Sequence, residues 1–186
     1  MNNNIRGLLL VITGMSFFIV QDTLIKLTVD DLSLLQILVF RATVGTIILI
    51  CYLLYKKQNI IFTSAHPFIA IFRGFFFFLG FLLFFISISK ISLAEATSLF
   101  FVSPFFITIF SYFILKNKIG INRIFSICVG FSGTLLIIKP DFSNINIYMI
   151  FPIFTACTYA LSMTLAKKTA GDDSLFQQTF HIYIGA

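Results

Sequence analysis

The chain has 186 residues, of which 59% are hydrophobic, only 11% are charged and 26 are Phe, with a mean hydropathy of +1.02. That balance excludes an ordinary soluble domain and points to an all-α integral membrane protein, a multi-span helical bundle whose first partner is the lipid bilayer. The net charge of +6 would suggest nucleic acid in a soluble chain, but here the basic residues report orientation, and no nucleic acid is expected.

Apolar runs long enough to cross roughly 30 Å of hydrocarbon at about 1.5 Å per residue lie at residues 7–27, 34–55, 68–89, 93–115, 121–138 and 145–166. A seventh run begins near Phe176 and stops at Ala186, too short to span. The opening MNNNIRGLLLVITG reads as the first helix, since no small-residue cleavage site follows it. The connections are brief, so chemistry is expected within the bilayer. With the N-terminus in the cytoplasm, Arg6, Lys56, Lys57, Lys116, Lys118, Arg123, Lys167 and Lys168 flank the inner side and only Lys26, Lys90 and Lys139 the outer. This bias supports that orientation. Cys51, Cys128 and Cys157 lie inside apolar spans and read as packing residues. His66 and His181 read as solvated or interfacial. Without CxxC or HExxH spacing, neither metal nor cofactor is expected.

The stretch TLIKLTVDDLSLLQ (23–36) returns as TLAKKTAGDDSLFQ (164–177). Thr23/Thr164, Leu24/Leu165, Lys26/Lys167, Thr28/Thr169, Asp31/Asp172, Ser33/Ser174, Leu34/Leu175 and Gln36/Gln177 are identical. Polar Lys, Asp, Ser and Gln are among the matches, which the shared apolarity of membrane spans does not explain. Five crossings separate a position from its counterpart, and an odd number turns the second copy upside down. This predicts inverted five-helix repeats, the first complete over 1–140 and the second, 141–186, incomplete. In this register Ala186 corresponds to Gly45. A full second copy needs about 94 further residues, roughly 280 in all, so the chain reads as truncated.

QDTLIK, LLQILVFRA, LAEATSLFFVSP, GFSGTLLIIKPDF and YALSMTLAKK together resemble the EamA family of the drug/metabolite transporter superfamily, in particular its S-adenosylmethionine uptake and carboxylate/amine carrier branch. The resemblance runs through the whole chain in order. It implies ten helices in two inverted repeats, a central substrate cavity, both termini in the cytoplasm, and packing of each fifth helix between protomers, which leaves a homodimer open. Where the family commonly has Leu-Gly-Glu after the fourth helix, this chain reads Leu115-Lys116-Asn117, so no role of that carboxylate carries over.

Asp22 and Lys26 lie four apart and share a helix face. They form either a self-neutralising pair or part of a substrate or coupling-ion site. Arg41, about 12 Å into the second span, either meets an anionic group of the substrate or pairs with a carboxylate such as Asp22. Arg73, nearer a membrane surface, reads as snorkelling to the headgroups. Glu95 is either a proton-coupling group or an interfacial cap.

In the fourth span Thr97, Phe101, Pro104, Thr108 and Ser111 share one face, suited to a cavity or a helix contact, and Leu99, Val102, Phe106, Phe110 and Phe113 the other, suited to lipid. Pro104 predicts a kink. Thr155, Thr158, Tyr159 and Ser162 make a similar stripe in the sixth span; together the two stripes suggest a shared cavity, though each hydroxyl taken alone suits an interhelical hydrogen bond. Gly7, Gly14, Gly130 and Gly133 would let helices approach.

The expected substrate-binding set is therefore Asp22, Lys26, Arg41, Thr97, Pro104, Thr108 and Tyr159, with Glu95 as coupling candidate. The expected function is secondary transport of a small metabolite across the inner membrane by alternating access, the substrate an amine, amino acid, carboxylate or S-adenosylmethionine. The alternatives are a half-transporter that needs a partner chain and a truncated product without function. An enzyme is not expected: Asp172-Asp173 resembles the start of a diphosphate-binding motif, but the repeat already accounts for Asp172 as the counterpart of Asp31.

Overall fold

The computed structural model describes residues 3–28, 32–56, 64–138 and 146–185. Every regular element among them is helical: α1 (Asn3–Thr28), α2 (Leu34–Lys56), α3 (Pro67–Ile88), α4 (Leu93–Phe100), α5 (Ser103–Leu115), α6 (Ile121–Ile138), α7 (Ile150–Thr169) and α8 (Leu175–Gly185), with a 3-10 turn at Ile147–Met149. Among the described residues Ile5–Thr28, Leu35–Tyr55, Pro67–Ile88, Leu93–Leu115 and Ile147–Thr169 are long and apolar enough to cross a membrane. The protein is an all-α membrane bundle. The expected domain border, 140/141, lies outside the described residues.

Local chemistry fixes the helix ends. Pro67 opens α3, where its missing N–H costs nothing. Ser92 and Glu95 form a reciprocal capping box at the start of α4, the Ser92 N–H donating to the Glu95 carboxylate at 2.9 Å and the Glu95 N–H to Ser92 Oγ at 3.2 Å. The fourth span is two helices rather than one kinked helix. Pro104 cannot donate to the carbonyl of Phe100, and the turn before it tightens through bonds from Phe101 to Ser98 and from Val102 to Leu99, both 3.3 Å. At the end of α5, Lys116 takes a left-handed conformation, φ 54°, where the resembled family commonly has Gly.

The repeated stretch folds the same way twice. Thr28 Oγ1 donates back to Leu24 and Ile25 at 3.0 and 3.3 Å, and Thr169 Oγ1 to Leu165 and Ala166, both at 3.4 Å. Leu32 N–H closes onto the Thr28 carbonyl at 3.0 Å, and Asp173 N–H onto that of Thr169 at 2.9 Å. Ser33 and Gln36 then form a capping box at 3.1 and 3.3 Å, matched by Ser174 and Gln177 at 2.8 and 3.2 Å. The copies meet α3 at different ends. Lys26 of the first reaches its C-terminal end, whereas Asp172 and Asp173 of the second hold the residues just before its N-terminus.

Helix α3 is the hub, packed against α7 and α8, with α5 also on α7. Small residues allow the α3–α7 approach: Ala156 and Ala160 are fully buried, and a Cβ on Gly80 would stand 2.7 Å from Thr158 Oγ1. Gly7, Gly14, Gly130 and Gly133, expected from the sequence to serve this purpose, have no neighbour within 4 Å of a built Cβ. They lie on helices that are largely exposed and apolar, α1 and α6, and the contact of α6 with α5, Phe131 against Phe105 at 5.8 Å, is made beside these glycines rather than over them. The apolar core gathers at the C-terminal end of α3 around Ile25, Leu38, Phe84, Phe85, Ile88, Ile91 and Ala96. Most of α1 is exposed and apolar, as suits lipid or further helices.

Candidate functional site

Arg41 stands at the centre of a cleft between three helices. Leu38, Arg41 and Ala42 of α2, Phe77, Phe78 and Phe81 of α3, and Ile182 and Tyr183 of α8 line it. Phe77 and Phe78, from the F-F-F-F run of α3, make this wall with Phe81: Phe77, Phe81 and Phe85 recur at helical spacing, their rings 4.8 and 5.6 Å apart in succession. The Arg41 guanidinium lies over the middle ring of that stack, 3.7 Å from the centre of Phe81, close enough for a cation–π contact. Among the described residues no group accepts a hydrogen bond from Arg41, although Asp22 and Tyr183 both act on it electrostatically. Its planar donor fork therefore remains available to a carboxylate or phosphate.

Tyr183 owes its place to a glycine. A Cβ on Gly45 would lie 2.6 Å from its ring, so only a bare backbone lets α8 lay this side chain on α2.

The expected Asp22–Lys26 pair does not form. Lys26 Nζ instead donates to the carbonyls of Ile88 and, at 3.3 Å, Ile91. The Ile88 carbonyl ends α3 without an intrahelical partner among the described residues and carries the negative end of its dipole, and the Ile91 carbonyl lies in the turn just beyond, which together make a better site for an ammonium than a carboxylate on the same helix. Asp22 is left to Arg41.

Thr97, Pro104, Thr108 and Tyr159 belong to a different contact. Thr97 and Thr108 turn their hydroxyls back onto their own helices, to Ala94 at 3.1 Å and Pro104 at 2.8 Å. Tyr159 packs edge-on against Phe100 at 5.4 Å. The stripe on α7 is mainly a helix contact, with Thr155 Oγ1 donating to the Gly80 carbonyl at 3.0 Å and Ser162 Oγ to that of Arg73 at 3.2 Å. Helices α5 and α7, which carry the two stripes, pack on each other. The Glu95 carboxylate is engaged in the α4 cap, accepting also from Ser92 Oγ at 2.7 Å.

Arg73 does not snorkel. It is 2% exposed, donates from Nη2 to the Gln178 carbonyl at 3.0 Å, and lies near Asp173. The short seventh run, as α8, covers it. Asp173 accepts from Ser64 Oγ at 2.6 Å and from Ala65 N–H at 2.8 Å. Burial pushes its carboxyl pKa up, but those two hydrogen bonds and the neighbouring His66 and His181 outweigh burial and hold it below the ordinary carboxylate value. His66 Nε2 lies 2.8 Å from Asp172 Oδ2 in an exposed pair, the only ion pair among the described residues. Sequence reasoning missed Phe81, Tyr183 and Ser64, and passed over Asp173. A usable signal was that the counterpart of Asp173 in the first copy is Leu32, so the repeat does not require a carboxylate there.

Residues 5–139 match the EamA-like transporter family. The chain belongs to that family. It is 26% identical over 162 residues to an S-adenosylmethionine uptake transporter of Rickettsia prowazekii (strain Madrid E), covering 87% of this chain and 55% of the relative. It is also 26% identical over 176 residues to a pseudopaline exporter of Pseudomonas aeruginosa, covering 94% and 61%. To a solute carrier family 35 member of Mus musculus (member G1) it is 28% identical over 136 residues, covering 73% and 37%. The chain thus spans little more than half the length of the bacterial relatives. No solved structure matches it. An EamA-like chain with five apolar helices of spanning length is a multi-pass membrane protein of a transporter family.

Proposed function

We propose that the chain supplies the first five-helix repeat (1–140) and the opening of the second (141–186) to a secondary transporter. That carrier moves a small metabolite across the inner membrane by alternating access, with the N-terminus cytoplasmic. The observation that carries this reading is the repeated stretch. Its two copies share their caps and turns yet engage opposite ends of α3, as inverted repeats require. The resembled family, and relatives named for uptake and for export, support transport and leave its direction open.

Arg41 is the substrate-contacting residue within this reading. Its free donors face a cleft whose walls are otherwise mostly apolar, the arrangement expected of a site that fixes one polar end of a small molecule. An anionic group, in particular the carboxylate of an amino acid or amino-acid derivative, suits the guanidinium fork. Asp22 neutralises Arg41 when the cleft is empty and attracts an amine when it is filled. Thr97, Pro104, Thr108 and Tyr159 shape the packing behind it.

The test is uptake and efflux of a labelled panel in membrane vesicles carrying the native protein, the panel holding S-adenosylmethionine, amino acids, simple carboxylates and simple amines. Saturable movement of a carboxylate-bearing member, lost in Arg41→Gln, is expected. No movement of any member overturns transport, and movement unaffected by Arg41→Gln overturns the assignment of Arg41.

A further inference from the structure

Five ionisable groups that the cleft does not use gather at the N-terminal end of α3: His66, Arg73, Asp172, Asp173 and His181. The buried part forms a chain of bonds. Ser64 and Ala65 donate to Asp173, the Gln178 side chain donates to the Asp173 carbonyl at 3.3 Å, Arg73 donates to the Gln178 carbonyl, and Ser162 to the Arg73 carbonyl. This network joins α3, α7, α8 and the segment before α3.

We propose that Asp173 and Ser64 form the releasable latch of a gate, which when closed holds α8 against α3 so that Tyr183 walls the Arg41 cleft, and when released opens that cleft to the aqueous phase at this end. The proposal deepens the transport reading and rests on it for its purpose.

Three observations carry it. First, the turn does not need these side chains. The first copy makes the same turn and the same capping box with Leu32 and Ile37 where the second has Asp173 and Gln178. The polar pair was added to a scaffold that closes without it. Second, the network is incomplete: among the described residues no group accepts from the buried Arg73 Nε. A buried donor left unpaired penalises the closed arrangement, which leaves it only moderately favoured over an open one. Third, the latched element is a wall of the cleft. Helix α8 carries Ile182 and Tyr183 into the lining and rests on the slot left by Gly45, so moving the start of α8 away from the segment before α3 shifts that wall and uncovers Arg41. The exposed His66–Asp172 pair adds little to such a latch.

The experiment reads accessibility rather than transport. In the native-length protein with Cys51, Cys128 and Cys157 replaced by Ser, a reporter Ala42→Cys sits in the cleft, and a membrane-impermeant thiol reagent is applied to either face of sealed vesicles. Asp173→Asn and Ser64→Ala are each expected to speed labelling from one face alone by about tenfold or more. That is the shift expected when a hydrogen bond to a charged group leaves a two-state equilibrium. Should either variant fail to fold, a disulfide made from Ser64→Cys with Asp173→Cys provides the second reading. Crosslinking should suppress labelling from that face, and reduction should restore it. Unchanged labelling in folded variants, or undiminished labelling of the crosslinked protein, overturns the latch. Vesicles that label as expected but move no solute leave the latch standing and overturn the transport reading alone.

Discussion

Arg41 of α2 lies over the ring of Phe81 on α3, its guanidinium carbon 3.7 Å from the ring centre. A face-on aromatic holds the cation without consuming any in-plane N–H, so the side chain is oriented and still able to bind. Phe81→Leu should keep the apolar volume and remove this contact, which is worth about 0.5–2 kcal/mol. Transport kinetics should show KM raised several-fold with kcat less affected. Arg41→Lys keeps the charge but not the planar fork, and should lose more than Phe81→Leu does. Equal kinetics in all three proteins would refute this account.

Gly45 and Tyr183 make a complementary test. Gly45→Ala places a methyl 2.6 Å from the Tyr183 ring, which must shift to accommodate it, and should destabilise the protein by about 1–3 kcal/mol. Thermal unfolding in detergent should show a lowered midpoint, partly restored by adding Tyr183→Ala. A Cβ at Gly130 would have no described residue of another element within 4 Å, and helix propensity alone should stabilise Gly130→Ala by up to about 1 kcal/mol. A destabilised Gly130→Ala would instead reveal a further helix or a second copy packed on α6.

Lys116 holds a left-handed conformation, φ 54°, at the end of α5, with the Asn117 N–H returning to the Ser111 carbonyl at 3.2 Å. A side chain in this region costs about 1–2 kcal/mol relative to glycine. Lys116→Gly should therefore raise stability by about 1 kcal/mol, visible as a higher unfolding midpoint. An unchanged or lowered midpoint would show that Lys116 contributes more through its charge than it costs in backbone strain.

The Asp173 latch should be insensitive to mild acid. Its carboxyl pKa is held below the ordinary 3.8, so its contribution is fully present above that value and is lost only as pH falls through the lower folded value. The charged groups around it are His66 from the segment before α3, Arg73 of α3, His181 of α8 and the adjacent Asp172. Reporter labelling should thus stay slow from about pH 8 to about pH 5. Faster labelling across that window would place the controlling group elsewhere.

The sequence by itself determined what depends on neighbours within a few residues. Apolar run length gave the spans, and the recurrence of Thr, Ser and Gln at fixed spacing gave two copies of one helix–turn–helix, because back-bonding and capping boxes close over three or four residues. The cap that Glu95 makes with Ser92, one of the two roles its sequence position left open, closes over the same short distance. The break at Pro104 was legible in position but not in degree.

The tertiary structure decided which partner each long side chain takes. Lys26 bonds to carbonyls 62 and 65 residues away rather than to Asp22 on its own helix face. Arg73 is covered by a helix 105 residues distant, and Asp173 binds a serine 109 residues back. The glycines that matter, Gly45 and Gly80, are those another helix happens to cross. A buried charge goes to whichever unsatisfied group the packing brings within about 3 Å, and helix packing depends on the whole bundle, so no local pattern in this sequence could have named those partners.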